Sequence, residues 1–211
     1  MRQTESQMQR IAVLGATGGT GRAVIAAGLA RGHGMIAVTR RAASITPTPH
    51  LTELVWPDVT DPSGLALDGV DAVISALGSD SNQPTTLCTD AMRTVIPVMI
   101  DLGVPRLVVV SAHGAGASRD RSLFSLAVWA SVGEKMKDKE SMEPLVTASD
   151  LNWTIVRPPA LKRTPRTGNY RAGEHLGIRL WHSIGREDLA DFLLDEVEQP
   201  RFVHQTPSAR R

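Results

Sequence analysis

Three glycines at intervals of three residues constrain the fold of this chain more than any other feature. Gly15, Gly18 and Gly21 directly follow the apolar run Ile11–Leu14 and stand where a helical pattern begins. Glycine can turn the chain sharply out of a strand and lets backbone N–H groups approach a ligand closely. The order strand, glycine turn, helix therefore predicts the first unit of a parallel α/β sheet.

The rest of the chain alternates between apolar runs of strand length and helical patterns. We predict strands at Ile11–Leu14, Met35–Thr39, Leu51–Trp56, Ala72–Ser75, Leu107–Ser111 and Thr154–Val156, and a weaker one at Phe202–His204. We predict helices at Gly21–Arg31, Gln83–Leu102, Ser122–Ala148 (broken) and Arg186–Glu198. Several strands are apolar throughout, which is typical of parallel strands covered by helices on both faces. The fold class is therefore α/β: a single-domain Rossmann-type doubly wound parallel sheet.

The domain is expected to span residues 11–205, between a flexible tail of residues 1–10 and a frayed end at Thr206–Arg211. Residues 161–182 break the alternation with several prolines, glycines and basic residues, and we expect a long loop on the substrate side.

Composition excludes several classes of protein. With 42% apolar and 21% charged residues, the 211-residue chain is expected to be globular rather than disordered. A net charge of +1 offers no basic field for nucleic acid, and no apolar run reaches the roughly 18 residues of a membrane span. The single cysteine, Cys88, excludes an internal disulfide and favours a cytoplasmic location, with Cys88 buried on a helix. The histidines show no metal-site spacing, and the chain is expected to be a monomer or homodimer.

The glycine segment is predicted to hold a pyrophosphate at the beginning of the first helix. The residues assigned to this role are Gly15, Thr17, Gly18, Gly19, Thr20 and Gly21, with the two threonines adding hydroxyl donors. The spacing is G-x-x-G-x-x-G rather than G-x-G-x-x-G, and the alternative is an ordinary glycine-rich turn.

Two arginines follow the second strand, where NAD-binding proteins commonly carry an acidic residue for the ribose 2′-OH. The sequence there is Thr39-Arg40-Arg41. A guanidinium can bind a 2′-phosphate bidentately, so Arg40, with Arg41 beside it, predicts NADP(H) as the cofactor. The alternative is a pair of solvated loop arginines.

Further candidate cofactor contacts follow the later strands. Asp58 and Val59 follow the third strand near the expected adenine, and small residues including Ala76, Leu77 and Gly78 end the fourth. Pro158 ends the sixth strand near the expected nicotinamide. Together they trace the carboxyl edge of the sheet, where such folds bind ligands.

These segments resemble an atypical short-chain dehydrogenase/reductase. The resemblance rests on Gly15–Gly21, Asp58–Asp61, Val110–Ser111 and Trp153–Pro159, and it covers roughly residues 10 to 200. The chain is similar to NAD(P)H-binding proteins of the NmrA-like group and to biliverdin reductase B, which is also a flavin reductase.

The usual Tyr-x-x-x-Lys pair of short-chain dehydrogenases is missing from its expected place. The single tyrosine, Tyr170, follows the sixth strand and has Glu174 four residues later. By the resemblance, Lys139 aligns with the family lysine and Lys135 replaces the tyrosine. The resemblance implies that Ser111 stands at the active-site edge, and we expect Ser111 or His113 to protonate or orient a substrate.

The leading hypothesis is an NADPH-dependent oxidoreductase that transfers hydride to a small planar acceptor such as flavin or quinone, because this chemistry belongs mainly to the cofactor. The alternative is a non-enzymatic NADP(H) sensor like NmrA. An epimerase or dehydratase is disfavoured because that chemistry depends on the missing tyrosine.

Overall fold

A computed structural model describes residues 8–81 and 83–211. Residues 1–7 of the expected tail lie outside the described residues, and Arg10 already belongs to the first strand. In chain order the elements are β1 (Arg10–Leu14), α1 (Gly19–Ala30), β2 (Gly34–Thr39), β3 (Leu51–Val55), β4 (Ala72–Ser75), α2 (Leu87–Asp101), β5 (Arg106–Val110), α3 (Leu123–Thr147), β6 (Asn152–Val156), β7 (Ala160–Lys162), β8 (Arg171–Gly173), β9 (Ser183–Gly185), α4 (Arg186–Glu198) and β10 (Ser208–Arg210).

Six parallel strands form the central sheet in the order β3-β2-β1-β4-β5-β6. This is the strand order of a doubly wound dinucleotide-binding fold, and the predicted fold class is confirmed. The order reverses beside β1, so the carboxyl ends of β1 and β4 flank the crevice in which such sheets bind ligands.

Two apolar cores lie on opposite faces of the sheet. On one face α1 and α4 pack together over a core that includes the fully buried Phe192. On the other, α2 packs on α3 over a core that includes Met92 and Met142. Strands enclosed on both faces must be apolar throughout, which explains the continuous apolar runs of the sequence.

Helix α2 begins at Leu87 rather than at the predicted Gln83, because a side chain from α3 fixes its start. The buried carboxylate of Asp138 accepts hydrogen bonds from the backbone N–H groups of Cys88 (2.9 Å) and Thr89 (3.0 Å). A carboxylate there satisfies helix N–H groups that lack an intrahelical partner and complements the helix dipole.

The predicted break in the third helix is a kink inside α3, where Val132 leaves helical geometry at φ −138° and ψ 33°.

The structure differs from the sequence prediction in three places, all after β6. Residues 161–182 are not an uninterrupted loop: β7 pairs with β9, and β8 pairs with β10. Phe202–His204 is not a strand, and an isolated bridge joins Gln205 to Thr154. The expected frayed end instead contains β10, in which Ala209 is fully buried.

No helix among residues 8–81 and 83–211 combines the length and apolar character needed to cross a membrane.

Candidate functional site

The glycine loop has the backbone geometry that its sequence predicts. Gly15 leaves β1 at φ +75°, and a Cβ atom on it would lie 2.8 Å from the carbonyl oxygen of Ala76. A Cβ atom on Gly21 would lie 2.2 Å from the carbonyl oxygen of Gly15. Gly21 therefore permits the close approach of helix and loop.

The N-terminal end of α1 is open to an anion. Gly18 is the N-cap residue, and no side chain caps the helix there. The first N–H groups of a helix have no intrahelical partner and carry the positive end of the helix dipole. Thr17, Gly18 and Gly19 are exposed, whereas Thr20 is buried. The exposed loop residues carry no bulky side chain of their own, and Arg186 lies against Gly19, so this surface fits a pyrophosphate.

Arg40 and Arg41 are exposed directly after β2. Neither forms an ion pair with an acid in the part of the chain that the structure describes. Both guanidinium groups can therefore bind an anion at the position where the sequence predicts a 2′-phosphate.

Glu53, which the sequence analysis missed, organises the turn that follows these arginines. Its carboxylate accepts hydrogen bonds from backbone N–H groups at Ala43 (2.9 Å), Ser44 (2.9 Å) and Ile45 (3.1 Å), and from the Thr39 hydroxyl (3.0 Å). Desolvation raises the pKa of Glu53, but these hydrogen bonds outweigh it and hold the pKa below its usual value. Glu53 was not recognisable because it acts from the neighbouring strand rather than from the end of β2.

Asp58 and Val59 follow β3 at the same edge of the sheet. The exposed Asp58 carboxylate accepts hydrogen bonds from the backbone N–H (2.9 Å) and hydroxyl (2.7 Å) of Thr60, which lower its pKa. Val59 is half-buried, and its carbonyl oxygen accepts a 2.7 Å bond from the hydroxyl of Thr94 on α2. The turn is thereby anchored to α2, and the Asp58 carboxylate lies at the surface.

A small cavity of about 190 Å³ opens beside the ends of β4 and β5. Its lining includes Gly78, Cys88, Ala112, Lys135 and Lys139. Ala76 and Leu77, which lead into it, are half-buried. We name it the edge cavity.

Lys139 joins the two strand ends at the edge cavity. Its ammonium group donates hydrogen bonds to the carbonyl oxygens of Leu77 (2.9 Å) and Val110 (2.7 Å). Lys135 lies one helical turn earlier and lines the same cavity. Tyr170 lies elsewhere: its hydroxyl donates to Asp195 on α4, and burial raises its pKa. Cys88 is buried as expected, and burial raises the pKa of its thiol.

Ser111 belongs to a buried charged network. Its hydroxyl donates a 2.6 Å hydrogen bond to Glu143, which also forms a two-point ion pair with Arg157 at 3.0 and 2.6 Å. A Cβ atom on Gly116 would lie 2.2 Å from Glu143, so the loop after β5 closes tightly over the pair. The sequence analysis identified Ser111 but missed Glu143, which lies 32 residues away in the sequence.

His113 is half-buried beside this network. Its backbone N–H donates to the carbonyl oxygen of the buried Pro158 (2.9 Å), and its Nδ1 lies 3.1 Å from the Ser208 hydroxyl. Burial lowers the pKa of His113 below its usual value; the Arg157 charge acts in the same direction, and Asp120 opposes it. The imidazole is therefore mainly neutral near pH 7.

Among the described residues, no group of three or more His, Cys, Asp or Glu side chains is arranged to hold a metal ion.

The strand order, the uncapped helix and the glycine loop define a Rossmann-type dinucleotide-binding protein. More particularly, the chain belongs to the NAD(P)H-binding family whose model matches residues 15–200. The predicted resemblance to an atypical short-chain dehydrogenase/reductase is confirmed at this level.

Three solved structures illustrate the similarity. A Burkholderia pseudomallei protein described as exported is 29% identical, with a TM-score of 0.76 over 97% of this chain and 100% of its own. A Streptococcus pneumoniae protein assigned as an NADH-flavin reductase is 23% identical, with a TM-score of 0.76 over 96% and 99%. ChuY, an anaerobillin reductase from Escherichia coli O157:H7, is 23% identical, with a TM-score of 0.78 over 95% and 96%. The TM-scores of the latter two show that they share the fold of this chain.

Proposed function

We propose that this protein is an NADPH-dependent reductase that passes hydride to a small planar acceptor such as a flavin or quinone. The observation that carries the proposal is the position of the edge cavity, at the ends of β4 and β5 and on the same sheet edge as the glycine loop. An acceptor seated there meets small residues, Gly78 and Ala112, which leave room for a flat ring. The two reductases of the same fold support this choice.

The cofactor proposed is NADP(H). Gly15–Gly21 would hold its pyrophosphate, with Thr17 and Thr20 beside it, and Arg40 and Arg41 would bind the 2′-phosphate. Asp58 and Val59 would lie at the adenine, and Ala76–Gly78 with Pro158 at the nicotinamide. The reduced nicotinamide supplies the hydride when it is bound.

The residues of the chain would orient the rings and exclude water without a Tyr-x-x-x-Lys pair. Lys139 fixes the ends of β4 and β5 through two carbonyl oxygens. The Ser111 hydroxyl already donates a hydrogen bond to Glu143, so its role would be to position the loop rather than to protonate the acceptor. His113 is then the better candidate for a proton donor.

A pH profile tests that assignment. If His113 donates a proton as imidazolium, kcat falls as the pH rises through its pKa, which burial lowers. His113→Ala should lower kcat by about 10²-fold and flatten this part of the profile. An unchanged kcat and profile in the variant would mean that solvent supplies the proton.

The second candidate function is a non-enzymatic NADP(H) sensor, and the engaged Ser111 hydroxyl supports it. The deciding experiment follows NADPH oxidation by absorbance against a panel of flavins and quinones, with NADPH binding measured separately. Turnover supports the reductase. Tight NADPH binding without turnover of any acceptor supports the sensor.

A cytoplasmic location belongs to this proposal as well, because the one cysteine, Cys88, is buried and free. Cell fractionation with an antibody to the protein tests it.

A further inference from the structure

A large groove borders the glycine loop. Its volume is about 940 Å³, and its lining runs from Gly18 and Gly19 along one side of α1 to Ala27. Eight residues of helix correspond to about 12 Å, so the groove extends well beyond the space that a pyrophosphate at the helix end would occupy. A groove of this size can hold part of a second ligand.

Arginines dominate the charge of this groove. Arg22, Arg163 and Arg186 line it, and none of the three forms an ion pair in the described part of the chain. Arg186 lies across the glycine loop, since a Cβ atom on Gly19 would be 2.8 Å from its Nε.

The remaining charged groups of the groove do not cancel this excess. Arg166 also lines the groove, and it pairs with Asp191 at 2.9 Å. Two acids complete the lining: Asp80, and Glu187, which accepts a hydrogen bond from the Arg166 backbone. Three unpaired guanidinium groups thus face two carboxylates, and guanidinium groups bind phosphate and carboxylate with charge-assisted hydrogen bonds.

The groove and the edge cavity are lined by consecutive residues of the segment after β4. Gly78 and Ser79 line the edge cavity, and Asp80 lines the groove. A ligand with its ring in the edge cavity and a chain among the arginines would pass Asp80.

We propose that the planar acceptor carries an anionic group, phosphate or carboxylate, and that Arg22, Arg163 and Arg186 hold this group in the groove. This inference rests on the proposed reductase function and adds the acceptor's charge to it. The alanines of α1 would contact the connecting chain, and the arginines would distinguish charged acceptors from neutral acceptors with the same ring.

Matched acceptor pairs test the inference and separate the two anions. FMN and riboflavin share one ring system and differ by a phosphate; biliverdin and its dimethyl ester differ by carboxylate charge. We expect kcat/KM to favour the charged member of at least one pair by about tenfold or more. The pair that shows the preference identifies the anion.

Arg163→Ala should reduce that preference severalfold, and Arg163→Lys should retain part of it because the charge remains. Lys162→Ala is the matched control, because Lys162 has the same charge, lies next in sequence and does not line the groove. Equal kcat/KM for both members of both pairs in the wild type would overturn the inference. So would an Arg163→Ala variant that weakens NADPH binding and leaves the preference intact, since the groove would then serve the cofactor.

A binding measurement keeps this test independent of the proposed function. Quenching of flavin fluorescence on binding to the protein with NADP⁺ present compares FMN with riboflavin without turnover. Tighter FMN binding that Arg163→Ala abolishes would support the anion site even if no acceptor oxidises NADPH. The contrary result is equal binding of the two flavins, turnover of both at equal kcat/KM and no preference within the biliverdin pair. It would support the reductase function and exclude the anion site.

Discussion

At the scale of single residues, Glu53 organises the turn that follows Arg40 and Arg41. An acid so close to two arginines could neutralise them, but backbone N–H groups and the Thr39 hydroxyl already occupy both of its oxygens. The same carboxylate therefore orders residues 43–45 without forming an ion pair with either arginine. A positive charge remains exposed at the end of β2.

Arg40→Ala should erase most of the preference for NADPH over NADH. A charge-assisted hydrogen bond to the 2′-phosphate contributes about 1.5–3 kcal/mol, so NADPH binding should weaken by about tenfold or more while NADH binding changes little. Arg40→Asp should reverse the preference, because a carboxylate repels the phosphate and can accept a hydrogen bond from the ribose hydroxyl.

Titration of both cofactors against wild type and variants measures this, with the exposed Arg171→Ala as a charge-matched control. Equal loss of affinity for both cofactors in Arg40→Ala would show that Arg40 is only a solvated arginine.

Two glycines of the loop should respond differently to substitution. At Gly18 the backbone φ is −72° and a Cβ atom would lie 3.2 Å from the Gly15 carbonyl oxygen, so Gly18→Val should fold and lose both NADP and NAD. At Gly21 the corresponding distance is 2.2 Å to backbone, so Gly21→Ala should lower the midpoint of thermal unfolding. Circular dichroism and cofactor titration check both variants. A folded Gly18→Val variant that keeps its NADP affinity would show that the glycine loop is not part of the binding site.

At the scale of elements, α4 holds the segment 161–182 in place. Asp188, fully buried in the first turn of α4, accepts hydrogen bonds from the backbone N–H groups of Thr167 (2.7 Å) and Gly168 (2.9 Å), and from the Thr167 hydroxyl (2.8 Å). An acid in the first turn of a helix also complements the helix dipole. The structure adds a second role, because the same carboxylate fixes the segment beside the arginine-lined groove.

Asp188→Asn should lower the free energy of unfolding by about 1–3 kcal/mol at neutral pH, since an amide accepts fewer and weaker hydrogen bonds. Burial raises the pKa of Asp188, but its hydrogen bonds outweigh this and the net pKa is lowered. The stabilisation is therefore complete above the ordinary aspartate pKa of about 3.9 and is lost as the pH falls through the lowered value.

Urea unfolding at several pH values measures the difference, with Glu187→Gln as the exposed neighbour for comparison. A difference between wild type and Asp188→Asn that persists in strong acid would contradict this account.

At the scale of the whole molecule, β10 connects the end of the described chain to the candidate site. It pairs with β8, and Ser208 places its hydroxyl 3.1 Å from His113 Nδ1. The backbone of Pro207 accepts a 2.8 Å hydrogen bond from the N–H of Arg157. Residues far apart in sequence thus converge on the loop after β5.

A chain ending at Gln205, where the domain was expected to end, should unfold at a temperature lower by about 5 °C or more. It loses the β8–β10 ladder and the burial of Ala209, and a loss of 1 kcal/mol lowers Tm by about 2–4 °C in a domain of this size. A chain ending at Arg210 is the control, because it keeps β10. Scanning calorimetry compares them, and equal Tm values would show that β10 adds nothing to stability.

Much of the fold could be predicted because local patterns carry the information. Ala72–Ser75 and Arg186–Glu198 match their predicted bounds, since a buried strand must be apolar and a helix must present an apolar face. The short strands β7 to β10 escaped prediction because three residues give too little periodicity. Their pairing depends on partners distant in sequence.

The sequence by itself determined the strand–glycine–helix unit, the alternation that builds the sheet and the identity of the basic residues after β2. Each of these follows from neighbouring residues, through glycine's backbone freedom and the spacing of apolar side chains. Only the tertiary structure decided that Glu143 accepts a hydrogen bond from the Ser111 hydroxyl, that backbone N–H groups occupy the carboxylate of Glu53 and that three arginines line one groove. Those outcomes depend on distances between separate elements. The packing of the two cores against the sheet sets these distances, and local sequence patterns do not encode them.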